Sequence, residues 1–346
     1  MIDWIDLIEV FVTTAIIAYL ITPLSRKVAF KTGYLDQPKD TKVHAHPMPL
    51  LGGASVYIAF MIGLFITIKV FGNPRIFGIA AGSTVLLIVG LVDDKMGMMP
   101  ELKLLAQFLA SMAVVKSGVR IEFLGNYYLN TIFTYLWLVG ITNSFNLLDN
   151  MNGLSAGIAV IASAFFGIVM ASSGQIEVAA VSFALTGACL GFLKHNFPRA
   201  NIFMGDSGSL VIGFVLAALA VEGTWKTRFL TTSLAMPIVI LAYPIFDTTL
   251  VTVMRILEGR SVFQGGRDHS SHRLALLGLR RRGTVLVIYC ICAALGLSAL
   301  LIQRISIRSA TGVIILVAVL LVSLGVRLGM VDTGRYGRMK GHDNGE

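Results

Sequence analysis

Long apolar runs, separated by short polar segments, cover most of the chain. Eleven of them approach the roughly 20 residues that a transmembrane helix needs. They lie near residues 5–24, 51–71, 76–92, 104–119, 130–143, 153–172, 177–193, 208–222, 230–253, 284–303 and 310–328. The pattern predicts an all-α integral membrane protein, a polytopic bundle of about 11 transmembrane helices.

The composition supports this prediction. Hydrophobic residues make up 55% of the 346 positions and charged residues only 14%, which argues against both a water-soluble fold and a disordered chain. The three cysteines lie in apolar runs without a histidine at ligand spacing, so we expect them to be packing residues.

The distribution of Lys and Arg predicts the topology. Twenty of the 28 lie in alternate polar segments, namely 25–50, 93–103, 194–207, 254–283 and 327–346. Cytosolic loops carry such an excess, which places the N-terminus outside and the C-terminus in the cytosol. Because the basic residues lie in short loops and do not share a soluble face, we expect no nucleic-acid partner.

Acidic residues beside hydrocarbon are costly, so their placement is informative. Six of them stand at or near predicted cytosolic helix ends: Asp93, Asp94, Asp149, Asp206, Asp247 and Asp268. Helix parity places all six on one membrane face. This convergence predicts a site built from the loops 25–50, 93–103, 143–153, 194–209 and 254–283.

Two of these segments suggest a metal and a phosphate. Because the adjacent carboxylates of Asp93 and Asp94 repel each other, at least one must be held by a cation, by hydrogen bonds or by protonation. A hard divalent metal would supply the cation; the alternative is a solvated helix end neutralised by Lys95 and Lys103. The segment 201–209 leads into a predicted helix whose free N–H groups favour phosphate. There Asp206 would hold a metal that lies between it and the phosphate, and Asp206 or Ser207 can cap the helix at the same time.

The other segments offer polar and basic groups. The amides of 143–153 suit a nucleobase or a sugar, although turns and helix caps explain them as well. His and Arg between Arg255 and Arg282 can bind phosphates, whereas Arg280–Arg282 are expected to fix orientation and contact anionic lipid. In the first loop, Lys42 and His44 are candidate phosphate contacts, and a plain positive-inside loop accounts for the lysines equally well.

Six ordered motifs carry a family resemblance. They are the Pro-x-Pro-x-x-Gly-Gly segment at 47–53, Asp93-Asp94 with Lys103-Leu104-Leu105-Ala106-Gln107, the 146–154 loop, Phe203-Met204-Gly205-Asp206-x-Gly208-Ser209, Pro244-Ile245-Phe246-Asp247-Thr248, and His269-x-x-His272-Arg273-Leu274. From about residue 20 to 280 the chain resembles the polyprenyl-phosphate N-acetylhexosamine-1-phosphate transferases, which include the phospho-MurNAc-pentapeptide transferases.

The resemblance implies a reaction and its partners. GlcNAc-1-phosphate, or another HexNAc-1-phosphate, would pass from a UDP-N-acetylhexosamine to undecaprenyl phosphate, giving undecaprenyl-diphosphate-HexNAc and UMP with Mg2+ or Mn2+. This is the first membrane step of a cell-surface glycan. It also implies a bacterial inner-membrane enzyme that is able to form a homodimer. The topology predicted from Lys and Arg places the site on the cytosolic face. The pattern along the chain predicts a single transmembrane catalytic domain over 1–330 and a polar cytosolic tail over 331–346.

The resemblance further implies roles for individual residues. Those expected to be catalytic are Asp93, Asp94, His269, His272 and Arg273. Those expected to bind substrate are Lys42, His44, Lys103, Asn146, Asp149, Asn152, Phe203 and Arg255. Asp206 and Asp94 are the expected metal ligands.

Three positions depart from the motifs of the family or of one branch of it. Asn152 stands where Asp is frequent, and Ser271 replaces the middle histidine of a His-x-His-His-Arg-Leu motif. Asp247 stands where the MurNAc-pentapeptide enzymes carry Glu, which favours a simple HexNAc donor. A MurNAc-pentapeptide donor remains the alternative within the family, and a membrane transporter or a structural membrane protein are the alternatives outside it.

Overall fold

The computed structural model describes residues 4–38, 46–71, 75–223, 230–262 and 266–333. This part of the chain is almost entirely helical. Its helices are α1 (Trp4–Thr32), α2 (Gly52–Phe71), α3 (Arg75–Met96), α4 (Pro100–Lys116), α5 (Tyr127–Leu148), α6 (Leu154–Ser172), α7 (Ile176–Asn196), α8 (Asp206–Glu222), α9 (Leu230–Ile240), α10 (Ala242–Leu257), α11 (Ser270–Leu276), α12 (Arg281–Arg304) and α13 (Ile307–Gly329). The strands β1 (Leu35–Asp36) and β2 (Met48–Pro49) pair antiparallel.

Every predicted apolar run falls on helix, which confirms the all-α class. The run 230–253 is broken: its two parts, Leu234–Ile240 and Ala242–Leu257, meet at an angle of 71°. Within the described residues, six helices are long and apolar enough to cross a membrane, namely α1, α3, α6, α7, α12 and α13, and the bent pair would make a seventh. The count of about 11 spans stays a prediction.

Helix α8 forms the centre of the bundle. Every residue from Ser207 to Ala220 is buried, because this helix is apolar or small on all sides and has neighbours all round. It packs against α3 and α5, so the acidic ends of those helices meet its first residue, Asp206.

Helix α13 lies at the periphery. Among its residues only Ala310 and Leu328 are buried, while Leu316, Leu320 and Val322 are more than half exposed. A soluble protein rarely leaves an apolar surface of this extent in water. The chain is therefore an integral membrane protein whose outer helices present apolar side chains to lipid.

Hydrogen bonds between helices reinforce the packing. Thr22 of α1 donates to Ser55 of α2 over 3.0 Å, and the hydroxyls of Ser163 and Thr186 join α6 to α7 at 2.8 Å. At Gly191 a Cβ atom would collide with the carbonyl of Ala15, so this glycine lets α7 approach the backbone of α1. Small residues and polar bridges of this kind are common between membrane helices.

Candidate active site

The Pro-x-Pro-x-x-Gly-Gly segment binds the loop that leads into α8. The backbone N–H groups of Gly52 and Gly53 donate to the carbonyls of Phe203 and Met204 at 3.0 and 2.8 Å, and Phe203 N–H donates to Pro49 at 2.8 Å. A Cβ atom on Gly53 would collide with the backbone of Gly208. The two glycines therefore allow the start of α2 to lie directly against the start of α8.

Asp94 caps the N-terminus of α8 from the end of α3. Its Oδ1 atom accepts a hydrogen bond of 2.7 Å from Asp206 N–H, and its Oδ2 atom accepts one of 3.1 Å from Ser207 N–H. Gly90 makes this possible, because any side chain there would meet the backbone of Ser207. The first N–H groups of a helix need such acceptors, and a carboxylate also interacts favourably with the helix dipole.

Asp93 and Asp206 share one cation. The Nζ atom of Lys103, in the first turn of α4, forms ion pairs with Asp93 Oδ2 and with Asp206 Oδ2, the latter at 2.6 Å. On the other side of Asp206, the Asn146 side-chain amide donates to Oδ1 at 2.8 Å and to Ser209 Oγ at 3.0 Å. Four helices, α3, α4, α5 and α8, thus each contribute a side chain to one polar cluster.

A second set of hydrogen bonds holds the loop after α5. Asn196 accepts from Gly153 N–H at 2.6 Å and donates to the Ile202 carbonyl at 2.8 Å. The Ser271 hydroxyl donates to Asn150 Oδ1 at 2.7 Å. Ser271, the departure from the family motif, therefore ties the segment after α10 to the amide-rich loop.

These segments enclose a cavity of about 580 Å3. Six of the residues that the sequence predicted for the site line it: Asp94, Asp149, Asn152, Phe203, Asp206 and His272. Asp93, Lys103 and Asn146 reach it through their contacts with Asp206. Residues distant in the chain therefore meet in one pocket, as helix parity predicted.

His269, which the sequence predicted to be catalytic, lies behind the cavity wall. His269 is buried, and its Nδ1 atom lies 2.7 Å from Oδ2 of the fully buried Asp247. Asp247 Oδ1 also accepts from the backbone and hydroxyl of Ser270. Asp247 thus orients the start of α11, and His269 does not line the cavity.

Arg255 and Arg273 also lie behind the cavity wall. Arg255 is 2% exposed and makes a bidentate ion pair with Asp268, both bonds being 2.8 Å. Arg273, 1% exposed, donates to the carbonyl of Asp268 and to the last carbonyls of α13 at Leu328 and Gly329. All three nitrogens of Arg255 are hydrogen-bonded within the protein, whereas Arg273 Nη2 is buried and has no hydrogen-bond partner among the described residues. The hydrogen bonds that both side chains do make favour a positioning role.

Two further predictions cannot be placed. Lys42 and His44 lie outside the described residues, as does the tail from residue 334 onward.

Burial and nearby charge set the protonation states outside the spanning helices. Burial, followed by the charges of Asp206 and Asp94, raises the pKa of Asp149 to about 8. Burial together with the charges of His269 and Arg267 lowers the pKa of His272 to about 4. At neutral pH the cavity therefore presents a protonated Asp149 and a neutral imidazole, which add no negative charge to repel an anionic ligand.

The carboxylates are compatible with a divalent cation. Asp93 and Asp206 already converge on one ammonium group, whereas both oxygens of Asp94 accept backbone hydrogen bonds. Over the described residues, no group of three or more His, Cys, Asp or Glu side chains is arranged to hold a metal. Mg2+ commonly binds one or two carboxylates together with substrate phosphates, and the pair Asp93 and Asp206 fits that mode.

The structure also adds residues that the sequence analysis did not single out, although Asn150 and Arg267 lie in segments that it offered for nucleobase, sugar or phosphate contacts. The cavity is lined by Asp36, Asn150, Asn196, Arg267, Arg281 and Arg282 as well. Asn196 could have been noticed as a polar residue at the cytosolic end of a predicted span. Arg281 and Arg282 carried no distinguishing signal, because a positive-inside segment contains arginines of the same kind.

Comparison with known proteins gives a family. The sequence model of Glycosyl transferase family 4 matches residues 76–224. A Bacillus subtilis (strain 168) protein named probable undecaprenyl-phosphate N-acetylglucosaminyl 1-phosphate transferase is 32% identical over 337 residues, covering 95% of this chain and 94% of the relative.

Two further relatives agree with this match. The decaprenyl-phosphate N-acetylglucosaminephosphotransferase of Mycobacterium leprae (strain TN) is 31% identical, covering 82% of this chain and 80% of its own. The undecaprenyl-phosphate alpha-N-acetylglucosaminyl 1-phosphate transferase of Salmonella typhi is 31% identical, covering 84% and 81%.

The helical bundle and its polar pocket define an integral membrane protein, and the comparisons define a transferase. The chain belongs to Glycosyl transferase family 4.

Proposed function

We propose that this protein transfers GlcNAc-1-phosphate from UDP-GlcNAc to undecaprenyl phosphate, producing undecaprenyl-diphosphate-GlcNAc and UMP. The names of the relatives support both the sugar and the polyprenyl phosphate acceptor. The observation that carries the proposal is the meeting of Asp93, Asp94 and Asp206 around Lys103 beside a cavity large enough for a nucleotide sugar.

The proposal includes a membrane orientation. We place the protein in the bacterial cytoplasmic membrane with about 11 spans, the N-terminus outside and the cavity facing the cytosol. The distribution of Lys and Arg supports this orientation, and UDP-sugars are cytosolic substrates. A homodimer and a downstream role in a cell-surface glycan are part of the same proposal.

The proposal also includes Mg2+ or Mn2+. Asp206 and Asp93 would hold the ion, because their oxygens converge on one cation while those of Asp94 are engaged by the start of α8. When bound, the ion neutralises charge on the phosphates of the two substrates. Asp94 then positions Asp206 by fixing the backbone that carries it.

The chemistry is a displacement at the sugar-linked phosphorus of the donor. An oxygen of the lipid phosphate forms the new P–O bond, the bond to the bridging diphosphate oxygen breaks, and UMP leaves with the electron pair. A phosphate monoester has a second pKa of about 6, so the nucleophile is already ionised at neutral pH. The main task of the site is therefore to neutralise and align anions.

The contacts favour direct displacement over a covalent aspartyl intermediate. Asp93 is paired with Lys103, and Asp94 accepts two backbone hydrogen bonds. Both carboxylates are therefore already engaged and poorly placed to act as nucleophiles. Lys103 and the neutral His272 are suited to donate hydrogen bonds to phosphate oxygens. Phe203 and the amide-rich loop of Asn150 and Asn152 would contact the nucleotide or the sugar.

A donor panel tests this function. Purified protein with undecaprenyl phosphate and Mg2+ should release UMP from UDP-GlcNAc in preference to UDP-GalNAc and UDP-MurNAc-pentapeptide. Omitting the lipid should stop the release, because direct displacement needs the acceptor. Turnover with UDP-MurNAc-pentapeptide alone would overturn the donor assignment, and stoichiometric UMP without lipid would overturn the direct mechanism. Uptake of intact UDP-GlcNAc into protein-containing vesicles without UMP release would indicate a transporter.

A further inference from the structure

Three arginines line the cavity in addition to the carboxylates, and the carboxylate cluster does not account for their presence. The sequence has three consecutive arginines, Arg280 to Arg282, at the start of α12. Arg281 and Arg282 line the cavity together with Arg267, whereas Arg280 does not. Arg281 and Arg282 therefore form a cavity-lining pair, and Arg280 can serve as a matched control for experiments on that pair.

The pair is suited to an anion. In the part of the chain that the structure describes, the guanidinium groups of Arg281 and Arg282 form no ion pair with a carboxylate, although Asp94, Asp149 and Asp206 line the same cavity. Guanidinium groups bind phosphate through paired N–H donors. Arg281 and His272 line the same cavity, and the charge of Arg281 is among the causes that lower the pKa of His272.

The surroundings of α12 identify the membrane side of the cavity. Val285, one turn beyond Arg281, also lines the cavity. One further turn along, Tyr289 contacts the ring of Phe197, with the ring centroids 6.0 Å apart. Phe197 lines both this cavity and an apolar groove of about 470 Å3 formed by residues of α1 and α7, including Ile16 and Leu193.

The wall that begins with two arginines therefore continues into apolar side chains and reaches the groove between α1 and α7. There Ile16, Tyr19 and Leu190 are exposed at the surface of the bundle. A substrate that enters there would carry an anionic group at the level of Arg281 and Arg282 and an apolar chain beyond it. A nucleotide sugar has no such chain, whereas a polyprenyl phosphate has one.

We propose that Arg281 and Arg282 bind the phosphate of the polyprenyl phosphate acceptor. The inference rests on the proposed function, because that function supplies the acceptor. Arg281 and Arg282 then hold the nucleophilic phosphate while the carboxylate side of the cavity holds the donor. They are binding residues for the acceptor and are not needed to bind the nucleotide.

The test measures binding and turnover separately. Binding of farnesyl phosphate, a short prenyl phosphate, is measured on the detergent-solubilised full-length protein without UDP-sugar. Replacing both arginines, as Arg281→Gln with Arg282→Gln, should weaken the dissociation constant about tenfold through the loss of charged hydrogen bonds. Arg280→Gln removes the same charge one residue earlier and should leave the constant within about twofold.

A turnover assay shows whether the two arginines bind the phosphate of the lipid acceptor or the diphosphate of the UDP-sugar donor. In the double variant the KM for undecaprenyl phosphate should rise about tenfold, while the KM for UDP-GlcNAc stays within about twofold. A rise confined to the KM for UDP-GlcNAc would assign the pair to the donor diphosphate and overturn the proposal. Equal effects of Arg280→Gln and the double variant would also overturn it, because they would show only general attraction to an anionic surface.

A conservative variant covers the case of a folding defect. If the double Gln variant does not remain folded, Arg281→Lys with Arg282→Lys keeps both charges but removes the paired donors. Weaker farnesyl phosphate binding than in the wild type would support the proposal, and unchanged binding would overturn it. The binding assay also separates the two proposals, since arginine-dependent binding without any UMP release would refute the proposed function and leave the phosphate site supported.

Discussion

Asp94 Oδ1 lies 2.7 Å from the backbone nitrogen of Asp206 and accepts its hydrogen bond. The two aspartates therefore make different contacts although both belong to the same polar cluster. Asp94 fixes the start of α8, while the Asp206 side chain extends to Lys103 and Asn146. We infer that Asp94 mainly builds the site, whereas Asp206 presents its charge to ligands.

We predict that Asp94→Asn destabilises the protein and that Asp93→Asn does not. An amide at residue 94 can replace only one of two acceptor oxygens, and the loss of half a helix cap should lower the free energy of unfolding by about 1 kcal/mol. Thermal unfolding in detergent measures the difference. Both variants should also lose turnover. Equal melting temperatures for Asp94→Asn and the wild type would contradict the capping role.

Lys103→Gln should strengthen divalent-metal binding. Without the ammonium group, the carboxylates of Asp93 and Asp206 face each other without a counterion, and a divalent cation would replace it. We expect the Mn2+ dissociation constant, measured by electron paramagnetic resonance, to fall about tenfold, while turnover falls.

The matched control for this prediction is Lys95→Gln. Lys95 lies 5.0 Å from the ring centroid of Tyr34 and is not part of the carboxylate cluster, so Mn2+ binding should not change. Weaker Mn2+ binding in Lys103→Gln would count against a metal site between Asp93 and Asp206.

Asp149 should give donor binding a pH dependence near pH 8. Because burial raises the pKa of Asp149 to about 8, this carboxyl is largely protonated at pH 7 and largely ionised at pH 9. Ionisation adds a negative charge that repels phosphate, so the KM for UDP-GlcNAc should rise severalfold between these pH values. Asp149→Asn should flatten the profile, and an unchanged rise in that variant would assign it to another group.

Asn196→Ala should loosen the loop after α5. The change leaves Gly153 N–H and the Ile202 carbonyl without their partner, which costs about 1–3 kcal/mol for each buried group that water cannot reach. A lower melting temperature and slower turnover are expected. The exposed Asn201 offers a control, since Asn201→Ala should leave the melting temperature near that of the wild type. Indistinguishable melting curves for the two variants would refute the bridging role.

Arg273→Lys should affect stability more than chemistry. A lysine cannot span the carbonyls of Leu328 and Gly329 as the guanidinium does, so the melting temperature should fall. The KM for UDP-GlcNAc should stay within about twofold. His272→Gln offers the contrast, because His272 lines the cavity and its loss should slow turnover of folded protein. A large KM change in Arg273→Lys with no loss of stability would restore the catalytic assignment.

The meeting of Asp93, Asp94 and Asp206 was predictable from the sequence. Acidic residues are costly beside hydrocarbon, and the parity of the apolar runs placed these three at one end of the bundle. The paired glycines at 52 and 53 similarly predicted a tight start of α2. Residue type and run length carried enough information for these features.

The contacts of the individual arginines could not be predicted from the sequence in the same way. Arg255 and Arg273 have the chemistry of phosphate ligands, and only the fold shows that Asp268 and the end of α13 occupy them. Arg281 and Arg282 resemble ordinary cytosolic arginines until the cavity is known. These contacts depend on the direction of each side chain in the folded protein, which the pattern of hydrophobic and polar residues does not reveal.

We propose above all that Asp206 presents charge for the transfer between two anionic substrates. The most direct test measures UMP release from UDP-GlcNAc, with undecaprenyl phosphate and increasing Mg2+, in the wild type and in Asp206→Asn. We predict a loss of at least about 100-fold in turnover, no recovery at high Mg2+, and an intact melting transition. Wild-type turnover in the folded Asp206→Asn variant would contradict the account.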